Sequence, residues 1–238
     1  MTETLDSSST IAIDWPAHRR LMMVFLGYIP FLLVALTAAA GVIAARRWGP
    51  AWGAGSGILT LYLLPPLAYR VATLAYAPEC GRHPVTSPAF LRWWLSAQWQ
   101  VIFNRLPMLE ELLRIVPGLY SSWLRLWGAQ IGALVYWSPG VTVLDRPFAC
   151  VGSRVVFGAG VRLNPHVIVS GKRHEAQLWL APVTLGDDSL VGGYCVVTAG
   201  STISAGTAVP AGKYFRPYTC WEGNQPVESR SEGIPTEG

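Results

Sequence analysis

Charged side chains are scarce in this 238-residue sequence. Asp, Glu, Lys and Arg together make up 13% of the residues, whereas hydrophobic residues make up 51% and Trp alone occurs 11 times. The mean hydropathy of +0.34 is too high for a purely soluble enzyme. The net charge of +4 comes from scattered Lys and Arg without a dense basic run. Nucleic-acid binding therefore has little support, and basic pairs beside apolar segments suit anionic lipid headgroups better.

Cysteine is also scarce, with four residues and no C-x-x-C spacing. Cys80, Cys150, Cys195 and Cys220 lie in unrelated sequence contexts. This usage predicts reduced structural thiols in a cytosolic compartment, and it excludes a disulfide-stapled secreted domain.

One long run has no charge at all. Leu21 to Ala45 is apolar over twenty-five residues and is flanked by Arg19-Arg20 and Arg46-Arg47. Because about twenty apolar residues span a bilayer, this run predicts a transmembrane helix despite Pro30. A signal peptide would have a shorter apolar region and a cleavage site after it.

A second apolar stretch, Ala54 to Ala77, follows a short Trp- and Gly-containing turn. It is long enough to span, and it contains Pro65-Pro66 and Arg70. The two prolines are expected to break or kink the helix, and Arg70 must snorkel or face a polar cleft. We expect a second span, with a re-entrant or interfacial segment as the alternative. The Lys/Arg bias of the loops does not fix the orientation.

Residues 87–127 mix Trp with Arg, Gln and Asn, which predicts amphipathic helices. Such helices would lie on the bilayer or pack against the domain that follows. The predicted organisation is a polar tail (1–20), a transmembrane hairpin (21–78), an amphipathic linker (79–127), a β domain (128–213) and a C-terminal tail (214–238).

The β domain is predicted from a six-residue repeat. Bulky apolar residues recur every six positions, apart from one break between Val169 and Leu185. They are Val151, Phe157, Leu163, Val169, Leu185, Val191, Val197, Ile203 and Val209. The register extends upstream through Ile131, Trp137 and Val143, with a slip of two residues near Arg146-Pro147. This period fits neither a helix nor ordinary strand alternation, and it is typical of a parallel β-helix of about four coils. The predicted fold class is therefore mainly β, with the β-helix preceded by two transmembrane helices and the amphipathic linker.

The break in the repeat, Ser170–Thr184, contains His174. Two stretches around it, Leu163-Asn164-Pro165-His166-Val167-Ile168-Val169-Ser170-Gly171-Lys172-Arg173-His174 and Pro182-Val183-Thr184-Leu185-Gly186-Asp187-Asp188, resemble the hexapeptide-repeat acyltransferases of the galactoside and xenobiotic acetyltransferase type. The resemblance covers roughly residues 131–226. It implies a left-handed β-helix, a homotrimer, and an enzyme that uses acyl-CoA, in the first instance acetyl-CoA, as a co-substrate without a permanently bound cofactor.

The resemblance also implies the site residues. His174 takes the place of the family's general base, and an imidazole whose ordinary pKa is ~6.5 suits that role. His166 and Asn164 are candidates to contact the acceptor, and a place on the coil surface is the alternative for both. Glu175 is a third candidate for an acceptor contact. Contacts to CoA are expected from Gly192, Gly193, Ala211, Lys213 and Arg216, with turn N–H groups of the first two stabilising the thioester oxyanion.

The chain also departs from the family pattern. It has His166 where the galactoside type has Asn, and Leu190 where that type has Trp. The closing hexad has Pro210 and Ala211 in place of the usual residues, and the loop from Glu175 to Ala181 is shorter. The family's acceptor contacts therefore do not carry over. Glu175, Asp187 and Asp188 are each candidates to orient His174, and Asp187-Asp188 also reads as a simple turn.

These features together predict a membrane-anchored O- or N-acyltransferase. Its acceptor would be associated with the membrane, for example a lipid-linked sugar or a glycan precursor. Because CoA is cytosolic, the β domain is expected to face the cytoplasm from a bacterial-type inner membrane. The alternative is a non-catalytic trimeric scaffold in a membrane-bound biosynthetic complex. A zinc site is not expected, because the β domain has only His166 and His174 to offer.

Overall fold

The computed structural model describes residues 15–170, 176–223 and 225–227. The chain divides into two compact units. The first contains the described residues of Met1–Val101 and Val167–Leu180, and the second contains those of Ile102–His166 and Ala181–Gly238.

Within the described residues, six α-helices precede the β domain. They are α1 (Ala17–Leu26), α2 (Ile29–Trp48), α3 (Pro50–Ala75), α4 (Pro88–Arg105), α5 (Met108–Arg114) and α6 (Leu119–Trp127). The strands are short: β1 (Gly81–Pro84), β2 (Gln130–Ile131), β3 (Tyr136–Trp137), β4 (Thr142–Val143), β5 (Ala149–Val151), β6 (Val156–Phe157), β7 (Arg162–Asn164), β8 (His166–Ser170), β9 (Ala176–Leu180), β10 (Val183–Leu185), β11 (Leu190–Val191), β12 (Val196–Thr198), β13 (Thr202–Ile203), β14 (Ala208–Val209), β15 (Cys220–Glu222) and β16 (Gln225–Val227).

The apolar helices differ from their sequence prediction in two places. The single helix expected over residues 21–45 is interrupted at Gly27 and Tyr28. This turn immediately precedes the helix that begins with Ile29-Pro30, and proline suits the first turn of a helix because its missing N–H has no partner there. In contrast, α3 continues through Pro65 and Pro66, so the expected break is absent. Helices of the membrane type tolerate proline when neighbouring groups satisfy the freed carbonyls.

Helices α2 and α3 form a closely packed hairpin. Gly49, which has a φ of +103°, separates them, and Pro50 begins α3. At Gly53 a Cβ atom would lie 2.5 Å from Ala45 Cβ and 2.8 Å from the carbonyl oxygen of Gly41. Only glycine allows the two backbones to approach this closely, as small residues do where membrane helices meet.

Both helical stretches are apolar on their outer surfaces. Ala17–Trp48 and Pro50–Ala75 reach mean hydropathies of 2.3 and 1.4, and only 6% and 17% of their most apolar segments is buried within the protein. Phe31, Val71 and Leu74 are 67%, 68% and 87% exposed. By length and composition both stretches could cross a membrane.

A small sheet completes the first unit. Strand β1, which follows α3 in the chain, pairs antiparallel with β9 from Gly81↔Leu180 to Pro84↔Gln177, and the sheet order is β1-β9-β8. The guanidinium of Arg82 lies 4.1 Å from the centre of the Trp179 ring. The segment from Glu175 to Ala181, which was predicted as a loop, therefore contains a strand with alternating burial at Ala176, Leu178 and Leu180.

The second unit is a parallel β coil with three faces. The sheet orders are β2-β5-β10-β13-β15 with antiparallel β16 at its end, β3-β6-β11-β14, and β4-β7-β12. The predicted six-residue positions stack in register, as in the pairs Val151↔Leu185, Phe157↔Val191 and Leu163↔Val197. Phe157, Leu163, Val191, Val197 and Ile203 are fully buried. The repeat thus builds the core of a parallel coil, as predicted.

Val169 is the exception to the repeat. It lies in β8, is only half-buried, and belongs to the first unit. The position on the first face that follows Leu163 is occupied instead by Leu185, which pairs with Val151. The prediction for Val169 was wrong because the chain leaves the coil after Asn164 and returns at Val183. In addition, the helices contain more residues than the short strands, so "mainly β" describes the coil and not the whole chain.

The last helix before the coil belongs to the coil's core. Tyr120, Trp123, Leu124 and Trp127 of α6 are buried. The Arg125 guanidinium donates hydrogen bonds to the carbonyl oxygens of Ile131 (2.9 Å) and Gly132 (2.8 Å). Of the two explanations for the aromatic residues of the linker, α6 therefore supports packing against the β domain.

Candidate active site

The predicted general base, His174, and its neighbour Glu175 lie outside the described residues. Asp187 and Asp188, the other two candidates to orient His174, are engaged within the coil. Asp187 Oδ1 accepts a hydrogen bond from the Ser153 backbone N–H at 2.7 Å, and Asp188 forms two hydrogen bonds with the guanidinium of Arg154 at 2.6 and 2.7 Å. Both carboxylates hold turns of neighbouring coil layers together, which favours the simple turn interpretation.

The structure brings His166 together with an acidic residue that the sequence had not indicated. His166 is the first residue of β8, and its Nδ1 contacts the Oδ2 of Asp145 in a hydrogen-bonded ion pair. The Asp145 side chain is 2% exposed and the His166 side chain is 24% exposed. The carboxylate is therefore enclosed by protein, while part of the imidazole reaches solvent.

The pair changes the ionisation of the imidazole. Burial lowers the pKa of His166, but the charge of Asp145 and its hydrogen bond raise it by more, so that the pKa is raised above its ordinary value of 6.5. An aspartate that accepts a hydrogen bond from Nδ1 also fixes the orientation of the ring and leaves Nε2 as the nitrogen that can exchange a proton.

Asp145 is held in place from both sides. Before it, the Leu144 N–H donates to the Leu163 carbonyl oxygen at 2.9 Å. After it, a 3-10 helix begins (Arg146–Phe148), and the Phe148 N–H donates to the Asp145 carbonyl oxygen at 2.9 Å. Asp145 itself has left-handed backbone angles, φ 43° and ψ 59°, which non-glycine residues adopt rarely and aspartate more readily than most.

The next residue anchors this turn to the helices. Arg146, which is 1% exposed, donates from Nε to Glu110 Oε1 at 2.9 Å. The other oxygen of Glu110 accepts a hydrogen bond from the Tyr120 hydroxyl at 2.6 Å. Burial, together with the nearby Glu110 charge, raises the pKa of Tyr120 well above its ordinary value. The guanidinium of Arg146 also lies 5.5 Å from the centre of the Trp123 ring, so its charge is satisfied on several sides.

Asn164, a predicted acceptor contact, lies two positions before His166 at the end of β7. It pairs in register with Thr198 of β12. Its side-chain oxygen is buried and accepts no hydrogen bond among the described residues. Buried polar groups are rarely left without a hydrogen bond in folded proteins, which makes this oxygen an exception.

The residues predicted to contact CoA lie at the far end of the coil. A Cβ atom on Gly192 would lie 2.4 Å from the Ala211 nitrogen, so these two residues stack on each other. The Gly192 N–H donates to the Val209 carbonyl oxygen at 2.8 Å and is therefore not available to a thioester oxyanion. Lys213 and Arg216 have exposed side chains. The contacts of Gly192, Gly193, Ala211, Lys213 and Arg216 to CoA stay predictions.

No group of three or more His, Cys, Asp or Glu side chains that could hold a metal ion occurs among the described residues. A shallow cavity of about 370 Å³ lies on the first face of the coil, lined by Gln130, Cys150, Thr184 and their neighbours. Burial raises the pKa of the Cys150 thiol, which makes the thiol a weaker nucleophile. None of the predicted site residues that the structure describes lines this cavity.

Sequence analysis missed Asp145, Arg146 and Glu110. One signal could have indicated the first two, namely the slip of two residues in the six-residue register near Arg146-Pro147. In the structure the slip is the place where Asp145 turns into the left-handed region and the Arg146–Phe148 helix follows.

Among the comparisons with known proteins, only the search of solved structures finds similar proteins. No family model matches the chain, and a search among curated proteins finds no match. The chain is similar to a maltose O-acetyltransferase from Clostridium difficile 630, with 17% identity and a TM-score of 0.38 over 49% of this chain and 79% of that one. It is also similar to a hexapeptide-repeat acetyltransferase from Vibrio cholerae O1 biovar eltor complexed with acetyl coenzyme A, with 18% identity and a TM-score of 0.35 over 58% of this chain and 91% of that one.

A galactoside acetyltransferase in complex with coenzyme A matches with 13% identity and a TM-score of 0.31 over 51% of this chain and 76% of that one. At these identities and TM-scores the likeness carries no argument of its own. The function has to be argued from the residues of this chain.

Proposed function

We propose that this protein is a membrane-anchored acyltransferase that transfers an acyl group, in the first instance acetyl, from acyl-CoA to a hydroxyl or amine of a membrane-associated acceptor. A lipid-linked sugar or a glycan precursor is such an acceptor. The observation that carries the proposal is a parallel coil interrupted once, by a segment that begins at a histidine paired with a buried aspartate. The solved structures to which the chain is similar are acetyltransferases, which agrees with this proposal.

The chemistry requires few protein groups. The acceptor loses a proton as its oxygen or nitrogen attacks the thioester carbonyl, and the CoA thiolate leaves with a proton. A positioned imidazole can accept the first proton and deliver the second, and general-base assistance of this kind contributes about 10²–10⁴-fold. The resemblance of the sequence to hexapeptide-repeat acyltransferases makes His174 a candidate for this base. The resemblance also implies a left-handed coil and a homotrimer, with acyl-CoA in the groove between two subunits.

The membrane part of the proposal rests on the helical hairpin. Core helices of soluble proteins are mostly buried, whereas α2 and α3 expose large apolar side chains along their length and pack on each other through Gly41, Ala45 and Gly53. A hairpin that is apolar on the outside and has small residues at its interface suits lipid. An enzyme tethered in this way meets acceptors that are themselves confined to the bilayer.

Radiolabelled acetyl-CoA tests the acceptor class. We expect the purified full-length protein, reconstituted in nanodiscs and supplied with a membrane lipid extract, to move label into the organic phase, because the acceptor is in the lipid fraction. Label transferred only to water-soluble sugars or amines would contradict a membrane-borne acceptor. Absence of any transfer with every acceptor would favour the alternative, a non-catalytic trimeric scaffold.

Protease protection tests the topology. With two spans, the N-terminus and the coil are expected on the same side of the membrane, and CoA places that side in the cytoplasm. We therefore expect tags at both termini to be digested in inverted membrane vesicles and to be protected in intact cells stripped of their outer barrier. Cleavage of a C-terminal tag in intact cells would contradict a cytoplasmic location of the coil.

A further inference from the structure

We propose that His166, oriented by Asp145, is the proton acceptor of the reaction. This inference rests on the proposed function and assigns its central step to His166, which the sequence offered only as a candidate contact to the acceptor. Three features of the described residues support it: the pairing of His166 with Asp145, the fixed position of Asp145, and the place where His166 leaves the coil.

The pairing gives His166 the arrangement that a general base needs. The Asp145 carboxylate accepts a hydrogen bond from the Nδ1–H group of His166. In this tautomer the lone pair of the neutral imidazole is on Nε2. The carboxylate is almost fully enclosed, so water does not weaken its interaction with the imidazolium that forms during transfer. The partly exposed ring can at the same time meet a substrate.

The position of Asp145 is fixed by the fold and not by a mobile side chain. Backbone pairing at Leu144 precedes it, and the enclosed ion pair of Arg146 with Glu110 follows it. The Arg146 guanidinium donates a hydrogen bond to Glu110, so this ion pair anchors the residue that follows Asp145. A base held in this way is preorganised, which is the property that makes proton transfer efficient.

His166 also stands close to the point where the chain leaves the coil. It follows Pro165, whose carbonyl oxygen accepts a hydrogen bond from the Ala181 N–H at 3.0 Å. This bond joins the two ends of the segment that leaves the coil. Asn164, whose buried side-chain oxygen accepts no hydrogen bond among the described residues, lies two positions before His166.

The proposed step balances with these groups alone. As the acceptor oxygen or nitrogen attacks the thioester carbonyl, Nε2 of His166 takes the acceptor's proton and a tetrahedral intermediate forms. When the intermediate collapses, the carbon–sulfur bond breaks and the CoA thiolate takes the proton from Nε2. The imidazole returns to its neutral form, and acylated acceptor and free CoA thiol are the products.

The test compares three histidine variants in the nanodisc assay with radiolabelled acetyl-CoA and membrane lipid extract. We expect His166→Asn to lower the rate of label transfer by about 10²–10⁴-fold while its circular dichroism spectrum stays that of the folded protein. His83→Asn is the matched control, because His83 contacts the Glu79 carbonyl oxygen at 3.1 Å and has no part in the site. Its rate should equal that of the original protein. His174→Asn should lose less activity than His166→Asn.

The pH profile supplies a readout that a purely structural role would not move. Because the neutral imidazole is the active form, kcat/KM should fall with decreasing pH, with a midpoint above 6.5, the direction in which Asp145 shifts the pKa of His166. Asp145→Asn removes the negative charge and leaves the effect of burial, so the midpoint should move to lower pH and the plateau rate should fall. ¹⁵N NMR of the histidine side chains should report the same shift.

The outcomes separate the two proposals. If the original protein transfers no label to any acceptor, the proposed function fails and the role of His166 fails with it. If the original protein transfers label and His166→Asn does so at the rate of His83→Asn, only the assignment of the base is overturned. Loss of activity confined to His174→Asn would return the role of general base to His174.

Discussion

Replacing Glu110 with alanine is expected to lower the free energy of unfolding by about 3–5 kcal/mol, the cost of leaving a buried charge without its partner. The Glu110 and Arg146 side chains are 5% and 1% exposed, so neither is screened by water. Without the carboxylate, Arg146 loses the ion pair with Glu110, and the Tyr120 hydroxyl loses its acceptor. Intrinsic Trp fluorescence during denaturant unfolding would measure the change.

The adjacent glutamate is the natural control. Glu111 pairs with Arg114 and accepts a hydrogen bond from the Gly140 N–H at 2.9 Å, but its side chain is 39% exposed. The Arg114 side chain is only 7% exposed, but in Glu111→Ala it keeps the Val141 carbonyl oxygen at 2.7 Å and Glu110 Oε2 at 3.4 Å. Glu111→Ala should therefore lose less stability than Glu110→Ala. Equal losses in the two variants would show that Glu110 does not act as an enclosed counter-charge.

Replacing Phe157 with alanine is expected to cost about 3–5 kcal/mol, as truncation of a buried aromatic residue does. The Phe157 side chain is fully buried, and its ring stacks on that of Trp137 with centroids 4.6 Å apart and an interplanar angle of 12°. The chain closes the coil around this pair, so the cavity cannot collapse easily. Denaturant unfolding followed by circular dichroism would measure the loss.

Val156 tests the phase of the six-residue repeat. It precedes Phe157 in β6, points to the outside of the coil, and is 38% exposed. Truncation at an exposed site usually changes stability by less than about 0.5 kcal/mol, so Val156→Ala should be close to neutral. A larger loss at Val156 than at Phe157 would mean that the inward and outward positions are exchanged.

The coil and the apolar helices could be predicted because each follows from a local sequence pattern, a six-residue repeat for the coil and an uncharged run for each helix. One bulky residue in every six fixed which side chains face inward, and the uncharged runs with Gly49-Pro50 between them fixed two helices and a turn. The extent of the interruption could not be read in this way. Val169 keeps the six-residue spacing by coincidence, and residues 176–180 alternate as a strand whose partner, β1, is distant in sequence.

Asp145 and His166 are distant in sequence and meet only in the folded protein. No local sequence pattern predicts this contact. The two residues are 21 positions apart, close to the spacing of the Ile131↔Val151 pair one layer away. A coil built from the repeat would have placed them near each other. What it could not supply is the left-handed conformation of Asp145, which depends on the enclosed Arg146–Glu110 pair and hence on helix α5, outside the repeat.

The pairing of β1 with β9 determines where the chain can be shortened. A truncated version without the two apolar helices is attractive for work in aqueous solution, and the start of α4 at Pro88 looks like a clean place to begin. That choice would delete residues 81–84 and leave β9 with an unpaired edge, and an open strand edge invites association with other chains. A truncated chain that begins before Gly81 keeps the edge covered, so the useful boundary lies at the end of α3 and not at the start of α4.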